Sequence, residues 1–282
     1  MKKFKIYISE SKNIYENLAF EEFLVTERIE DVLLFYINED SVVIGKHQNP
    51  WKEVNLNSAK QNDINIARRL SGGGTVYHDN GNINFSYIRN KDGDFVNFKE
   101  HINPISQALK NLGIDNEISS RNDIFIGSYK ISGNAEHVNN LKKRIIHHGT
   151  LLYNSNIKKL SNNIRPKELN IKTHAVDSVR SPVKNISKIK DLGMTEDFLD
   201  KLVKQLQNLL EISEIELINP NKIIGVIDLV NSKYKSWEWI FGYTPQFVFT
   251  NSNGTTFKIR KGFVIESSDK NSIGVRADNV IL

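Results

Sequence analysis

Arg68-Arg69-Leu70-Ser71-Gly72-Gly73-Gly74-Thr75-Val76-Tyr77-His78-Asp79 is the stretch on which the fold assignment turns. Three successive glycines remove three side chains, so backbone amides there can close on an anion or a flat ring. The two arginines before them can fork onto a carboxylate or phosphate. A plain glycine-rich hairpin loop is the other reading of the same residues. No Gly-Lys-Ser/Thr follows, so this is not a P-loop. No helix follows either, which excludes the Gly-x-Gly-x-x-Gly turn of a dinucleotide fold. The residues after the glycines, 75–77, instead read as a β-run leading into an alternating strand over 82–88.

Working outward, residues 4–9 alternate like a strand. A helix is predicted over 13–29, with Ile14, Leu18, Val25 and Ile29 at helical spacing. Residues 32–37 and 41–45 are two short β-rich runs, and 38–40 between them gives a hairpin signal. Another strand is expected over 64–68. A helix over 97–112 carries the stripe Ile102, Ile105, Leu109 and Leu112 and stops at Gly113. Short β-runs follow at 123–126, 129–132 and 144–152. Thr195 is the expected N-cap of a helix over 195–210, with Glu196 and Asp197 in its first turn. After a composition shift near 237–244, the runs 247–249, 256–260, 263–267 and 273–276 suggest a small β-rich tail module from about residue 246. Because strands and helices do not alternate regularly, the fold class is α+β with a mixed or mainly antiparallel sheet. The expected division is 1–245 for a large domain and 246–282 for a small one.

Composition narrows the function. The 282 residues include no cysteine, which excludes disulfides, thiolate metal sites and cysteine nucleophiles. No apolar run is long enough to span a bilayer and no secretory signal is visible, so a cytoplasmic protein without membrane contact is expected. The formal charge of +5 reads as a lysine-rich solvated surface with a modest attraction for anions, and no stretch resembles a nucleic-acid tail.

Three further stretches carry chemistry. In Ser120-Arg121-Asn122-Asp123-Ile124, Asp123 offers a carboxylate suited to a magnesium ion. In Tyr129-Lys130-Ile131-Ser132-Gly133-Asn134-Ala135, Lys130 either snorkels to solvent or supplies a point charge to a phosphate during nucleotidyl transfer. In Ile145-Ile146-His147-His148-Gly149-Thr150, two adjacent histidines on one strand face opposite sides and cannot share a metal from that strand alone. One is expected to line a pocket, the other to be half-exposed.

Taken in order, these segments resemble the lipoate–protein ligase A family. The residues 69–79 look like its signature loop. Asn122-Asp123, Lys130-Ile131-Ser132-Gly133-Asn134-Ala135 and His147-His148-Gly149-Thr150-Leu151-Leu152 match the motifs that follow. Gly45-Lys46-His47-Gln48-Asn49-Pro50-Trp51, Ser178-Val179-Arg180-Ser181 and Ser236-Trp237-Glu238-Trp239 also fit. The resemblance implies a catalytic domain related to the biotin ligases plus a C-terminal accessory domain, which in the fullest family members continues beyond the equivalent of Leu282. It implies that lipoate is activated by ATP, with Mg2+, as lipoyl-AMP. The lipoyl group then passes to a lysine of a lipoyl domain, in 2-oxoacid dehydrogenase acyltransferase subunits or the glycine-cleavage carrier protein. Carried over residue by residue, Lys130 is the catalytic cation, touching the α-phosphate and the lipoyl carbonyl. Arg69, Gly73, Gly74, Thr75, Val76 and Tyr77 join it on the nucleotide. Arg69, Lys130 and His148 face lipoate, and Asp123 contacts magnesium. The protein is expected to act as a monomer. Octanoyl transferases of the same superfold need a cysteine, which this chain lacks. Biotin ligases carry a Gly-Arg-Gly-Arg-x-Gly loop, unlike the contiguous glycines here. Two variants of the reading remain: a transferase with weak adenylation, and a non-catalytic binder of lipoate or lipoyl domains.

Overall fold

The computed structural model describes residues 4–91, 98–164 and 169–281. The chain divides into two compact units. The first takes the chain up to Asp40 with His78–Ile157 and Arg180–Asp228, and the second takes Ser41–Tyr77, Lys158–Val179 and Leu229–Leu282.

The first unit is built on a six-stranded sheet. Phe4–Ser9 runs parallel to Asp31–Ile37 on one side and to Glu214–Ile218 on the other. Asp31–Ile37, Asn82–Asn90, Arg144–Leu152 and Asn134–Asn139 then pair antiparallel in that order. The mixed sheet expected from irregular alternation is therefore present. Alternation along the strands splits the side chains between two faces. Leu33, Phe35, Ile83 and Phe85 pack with Ile102, Ile105 and Leu109 of helix Phe98–Asn111 and with Phe198, Leu202 and Leu206 of helix Thr195–Leu210. The opposite face meets helix Ile14–Glu27, where Tyr36 bonds Glu21 and Tyr7 packs near Phe20. Asn13 caps that helix, its side chain accepting from the amides of Tyr15 and Glu16. Its apolar stripe ends at Val25; Ile29 lies beyond the helix and is exposed.

The second unit holds two smaller sheets. Asn65–Arg68, Ser41–Ile44 and Val76–His78 form one of them, in that order. Ile171–Thr173, Phe247–Thr250, Thr256–Arg260 and Phe263–Ser267 form the other. Phe247, Phe249, Phe257 and Ile259 share a core with Trp51.

Several local expectations are corrected. Residues 32–37 and 41–45 do not make a hairpin, because their strands belong to different sheets. Asn38 between them is buried and spends its amide on Asn17 and His78 instead of on a tight turn. The tail strands recruit Ile171–Thr173 from some 75 residues upstream, and residues 273–276 contribute one isolated bridge, Phe263 to Arg276, in place of a strand. The cap of helix Thr195–Leu210 is Met194, whose amide donates to the Asp197 carboxylate at 2.8 Å. The start of the helix expected over 97–112 lies outside the described residues.

Candidate functional site

In the second unit the glycine turn is held by its own arginines. Arg69 is buried, and its guanidinium donates to Gly72 O at 2.6 Å, Gly74 O at 2.7 Å, Val43 O at 3.2 Å and Ser71 Oγ at 3.0 Å. Pulling the carbonyls of Gly72 and Gly74 toward one cation fixes the peptide planes of the turn. Gly73 has φ 83°, a left-handed conformation that a β-branched residue would strain. Arg68 spends its guanidinium within the protein. Fully buried, it donates to the carbonyls of Gly45, Lys46, Gln48, Trp239 and Ile240 and to Thr244 Oγ1. Burial pushes its pKa down to about 9, so it stays charged at neutral pH. In return, Trp239 Nε1 donates to Arg68 O at 2.8 Å.

The Gly-x-x-Gln segment supports the same turn. Gln48 Oε1 accepts from Gly45 N and from Thr75 Oγ1, both at 2.9 Å. Gln48 Nε2 donates to Ser178 Oγ at 3.0 Å, and that hydroxyl accepts from Thr75 N at 2.9 Å and donates to Glu53. A Cβ on Gly45 would stand 2.2 Å from Gly73 O, and one on Gly74 would stand 3.1 Å from Ser178 Oγ. A Cβ on Gly72 would meet nothing within 4 Å. Of the residues expected to face nucleotide, Thr75 and Tyr77 are buried and Val76 is half-buried.

In the first unit, Lys130 sits on strand Tyr129–Ser132. Its backbone amide donates to Pro182 O at 2.9 Å. Its Nζ lies 3.0 Å from Asp123 Oδ1, with the lysine side chain 23% exposed. Asp123 follows a tight turn in which Asn122 adopts φ 62°, a conformation asparagine tolerates, and Ser119 N donates to Asp123 O. A Cβ on Gly133 would stand 3.0 Å from Lys130 Nζ, so the glycine of Lys-Ile-Ser-Gly leaves room for the ammonium. Asp123 therefore has a first task as the counter-ion of Lys130.

His148, on strand Arg144–Leu152, places Nδ1 3.1 Å from both oxygens of Glu21. Glu21 is buried and also accepts from Tyr36 OH at 2.9 Å and from Ser86 Oγ. Burial alone would raise its pKa, but His148, Ser86 and Tyr36 outweigh this and lower it. Sequence reading missed Glu21, whose signal was a carboxylate in register with Leu18 and Val25 on the buried stripe of its helix. Glu53 gave no comparable signal. His147 departs from expectation: it is fully buried, on the opposite face from His148, beside Glu136. Burial lowers the pKa of His147, against the pull of Glu136, and burial with His147 and Arg89 nearby lowers that of His101 to about 3.

An α+β fold with a braced glycine turn and an ion-paired lysine at a strand end defines a class. The family model described as the lipoyl protein ligase A/B catalytic domain matches residues 13–207. Within that class the chain belongs to the lipoate–protein ligase family. Lipoate–protein ligase 1 of Staphylococcus aureus is 39% identical over 252 residues, covering 88% of this chain and 75% of the relative. Lipoate-protein ligase LplJ of Bacillus subtilis is 39% identical over 242 residues, covering 84% and 72%. Among solved structures, P. falciparum LipL1 in complex with lipoate superposes with TM-score 0.74 at 27% identity, over 93% of this chain and 82% of that one. A lipoate-protein ligase A bound with ATP superposes with TM-score 0.73 at 25% identity, over 86% and 99%.

Proposed function

We propose that this enzyme activates lipoate with ATP and transfers the lipoyl group to lysines of lipoyl domains, with Lys130 as the catalytic cation. The observation that carries this reading is the Lys130 ammonium, fixed 3.0 Å from Asp123 and given room by Gly133. In the first half-reaction a lipoate carboxylate oxygen attacks the α-phosphorus. The bond to the β-phosphate oxygen breaks, and pyrophosphate leaves with its electron pair. Bringing carboxylate and polyphosphate together opposes like charges, each pair costing roughly 4 kcal/mol at about 4 Å and an effective dielectric near 20. A fixed ammonium offsets that cost without reorganising. In the second half-reaction the acceptor amine attacks the acyl carbon, AMP leaves, and the amine proton is lost as the amide forms.

The amides of Gly73 and Gly74 are proposed to hold the nucleotide, with Thr75, Val76 and Tyr77 beside the adenine. Arg69 contributes by its charge and by fixing the turn. His148, oriented by Glu21, faces lipoate. A magnesium ion on the phosphates would supply further charge neutralisation. Asp123 suits it as a hard oxygen donor, although Oδ1 already serves Lys130. The acceptors are lipoyl domains of 2-oxoacid dehydrogenase acyltransferase subunits and the glycine-cleavage carrier protein. Residues 1–245 are assigned to catalysis and 246–282 to accessory structure folded on the same core as Trp51. Use of ATP suits a cytoplasmic site of action, and no described helix is long and apolar enough to cross a membrane. The reading takes the enzyme as a monomer.

Mass spectrometry of an apo lipoyl domain incubated with the protein, ATP, magnesium and lipoate tests this. The lipoyl mass should appear in the full mixture and vanish when ATP or lipoate is omitted. An unmodified domain in the full mixture would reject the proposal.

A further inference from the structure

Beneath the central sheet of the first unit, on the face away from His148, lies a group of side chains that the ligase reaction does not use. Glu136 and His147 are directly opposed across the antiparallel pair Asn134–Asn139 and Arg144–Leu152, so both project to the same face. His147 Nδ1 lies 3.5 Å from Glu136 Oε2. Helix Phe98–Asn111 delivers His101, whose ring stacks on that of His147 with centroids 5.3 Å apart. One ligand atom from each of the three residues lies within 4.8 Å of the other two.

These polar atoms are buried and unsatisfied. The His147 side chain is 0% and the Glu136 side chain 2% exposed. His101 Nδ1, both nitrogens of His147 and both oxygens of Glu136 have no hydrogen-bond partner among the described residues. Native interiors rarely leave so many polar atoms unsatisfied in one place without a water or an ion among them. Apolar and aromatic neighbours surround them: Phe85 and Phe98 have ring centroids 6.4 and 6.2 Å from that of His147. Arg89, whose charge bears on His101, is itself paired with Glu100 at 3.5 Å.

We propose that His101, Glu136 and His147 form a structural binding site for one divalent transition-metal ion of the zinc type. Two imidazoles and one carboxylate are a zinc ligand set, with bonds of about 2.0–2.2 Å. Ligands at that radius lie closer together than 4.8 Å, so the three atoms need to close by about 1 Å, within reach of side-chain rotation. Softer thiolate-preferring ions are disfavoured by the all-nitrogen-and-oxygen set, and calcium and magnesium by the two imidazoles. The carboxylate neutralises half of the ion's charge, and neutral imidazoles present lone pairs without losing a proton. The ligands come from two paired strands and a helix, so the ion would tie that helix to the sheet. Lys130 belongs to a separate strand and the His148–Glu21 pair to the other face, so the site is structural and not part of the acyl transfer.

The test uses the full-length, tag-free protein stripped with a chelator and titrated with Co2+, then Zn2+. The expected result is saturation at one equivalent, a visible cobalt d–d band that Zn2+ displaces, and a rise in Tm of about 5 °C when Zn2+ is 100-fold above its Kd. His101→Gln and Glu136→Gln should each weaken binding by at least about 100-fold relative to wild type, on the order of a lost ligand in a three-ligand site. His174 is exposed and lies outside the cluster, so His174→Gln should bind as wild type. Absence of one-to-one binding by the wild-type chain would overturn the proposal without reference to any variant. So would undiminished binding in folded His101→Gln and Glu136→Gln, because the ion would then sit on surface histidines.

Discussion

Placing one methyl group at position 45 probes whether the glycine turn is a rigid device. In Gly45→Ala the new Cβ would stand 2.2 Å from Gly73 O and 3.2 Å from the carbonyl carbon and oxygen of Gly72. Those are backbone atoms, so no side chain can swing aside, and the turn must retreat by about 1 Å to reach ordinary carbon–oxygen contact. The turn is pinned by Arg69 through bonds of 2.6 and 2.7 Å to Gly72 O and Gly74 O. A retreat of that size stretches both beyond useful range. Each is charge-assisted and contributes about 1.5–3 kcal/mol, so the displaced turn costs roughly 3–6 kcal/mol. Thermal unfolding should show a Tm lowered by on the order of 10 °C. Calorimetry should show ATP affinity reduced by about 10²-fold or more, because the turn no longer presents its amides in the ligand-ready arrangement. Gly72→Ala is the matched control. Its Cβ meets nothing within 4 Å, so stability should hold, and any loss of ATP affinity there reports the ligand and not the fold. Unchanged Tm and ATP affinity in Gly45→Ala would refute the idea that the turn is held in one position.

Other perturbations probe the remaining parts. Lys130→Ala should lower lipoyl-AMP formation by about 10²–10³-fold with an unchanged far-UV spectrum, as expected for loss of one preorganised cation; wild-type turnover would remove Lys130 from the mechanism. Arg68→Met leaves the carbonyls of Gly45, Lys46, Gln48, Trp239 and Ile240 without their donor and should destabilise by about 3–5 kcal/mol, read as a shift in urea midpoint at constant m. Glu21 titrates below its ordinary value of 4.5 in the folded state. Its contribution is therefore complete above that value and is lost as pH falls through the lower folded pKa. Glu21→Gln should flatten this acid limb, and urea midpoints for both proteins at pH 7 and below 4.5 check the sign.

Much of the chemistry lay in local sequence. Gly72, Gly73 and Gly74 mark a turn, and Gly73 takes φ 83°, a conformation that favours glycine. Lys130 stood out as a point charge in a strand-like run beside a serine and a glycine, and the structure adds that Gly133 leaves it room. The helices over residues 14–27 and 195–210 followed from apolar spacing that neighbours within one turn enforce. Local pattern misled where a residue had two plausible partners. Arg68 read like Arg69 as a fork for an anion, yet its guanidinium is spent on backbone carbonyls and Thr244. His147 and His148 read as one lining a pocket and one half-exposed, and both are buried.

Read alone, then, the chain marked the main helices and many of the strands, the glycine turn and the candidate lysine, and that no cysteine chemistry is available. Those properties depend on backbone preferences and on spacings of a few residues. Tertiary structure decided the partners: Glu21 with His148 across 127 positions, Gln48 with Ser178 across 130, Arg68 with Thr244 across 176, and the strand Ile171–Thr173 with the tail. A buried charge takes whichever acceptors the folded chain brings within about 3 Å. Sequence separation carries no information about that distance until the sheets have formed.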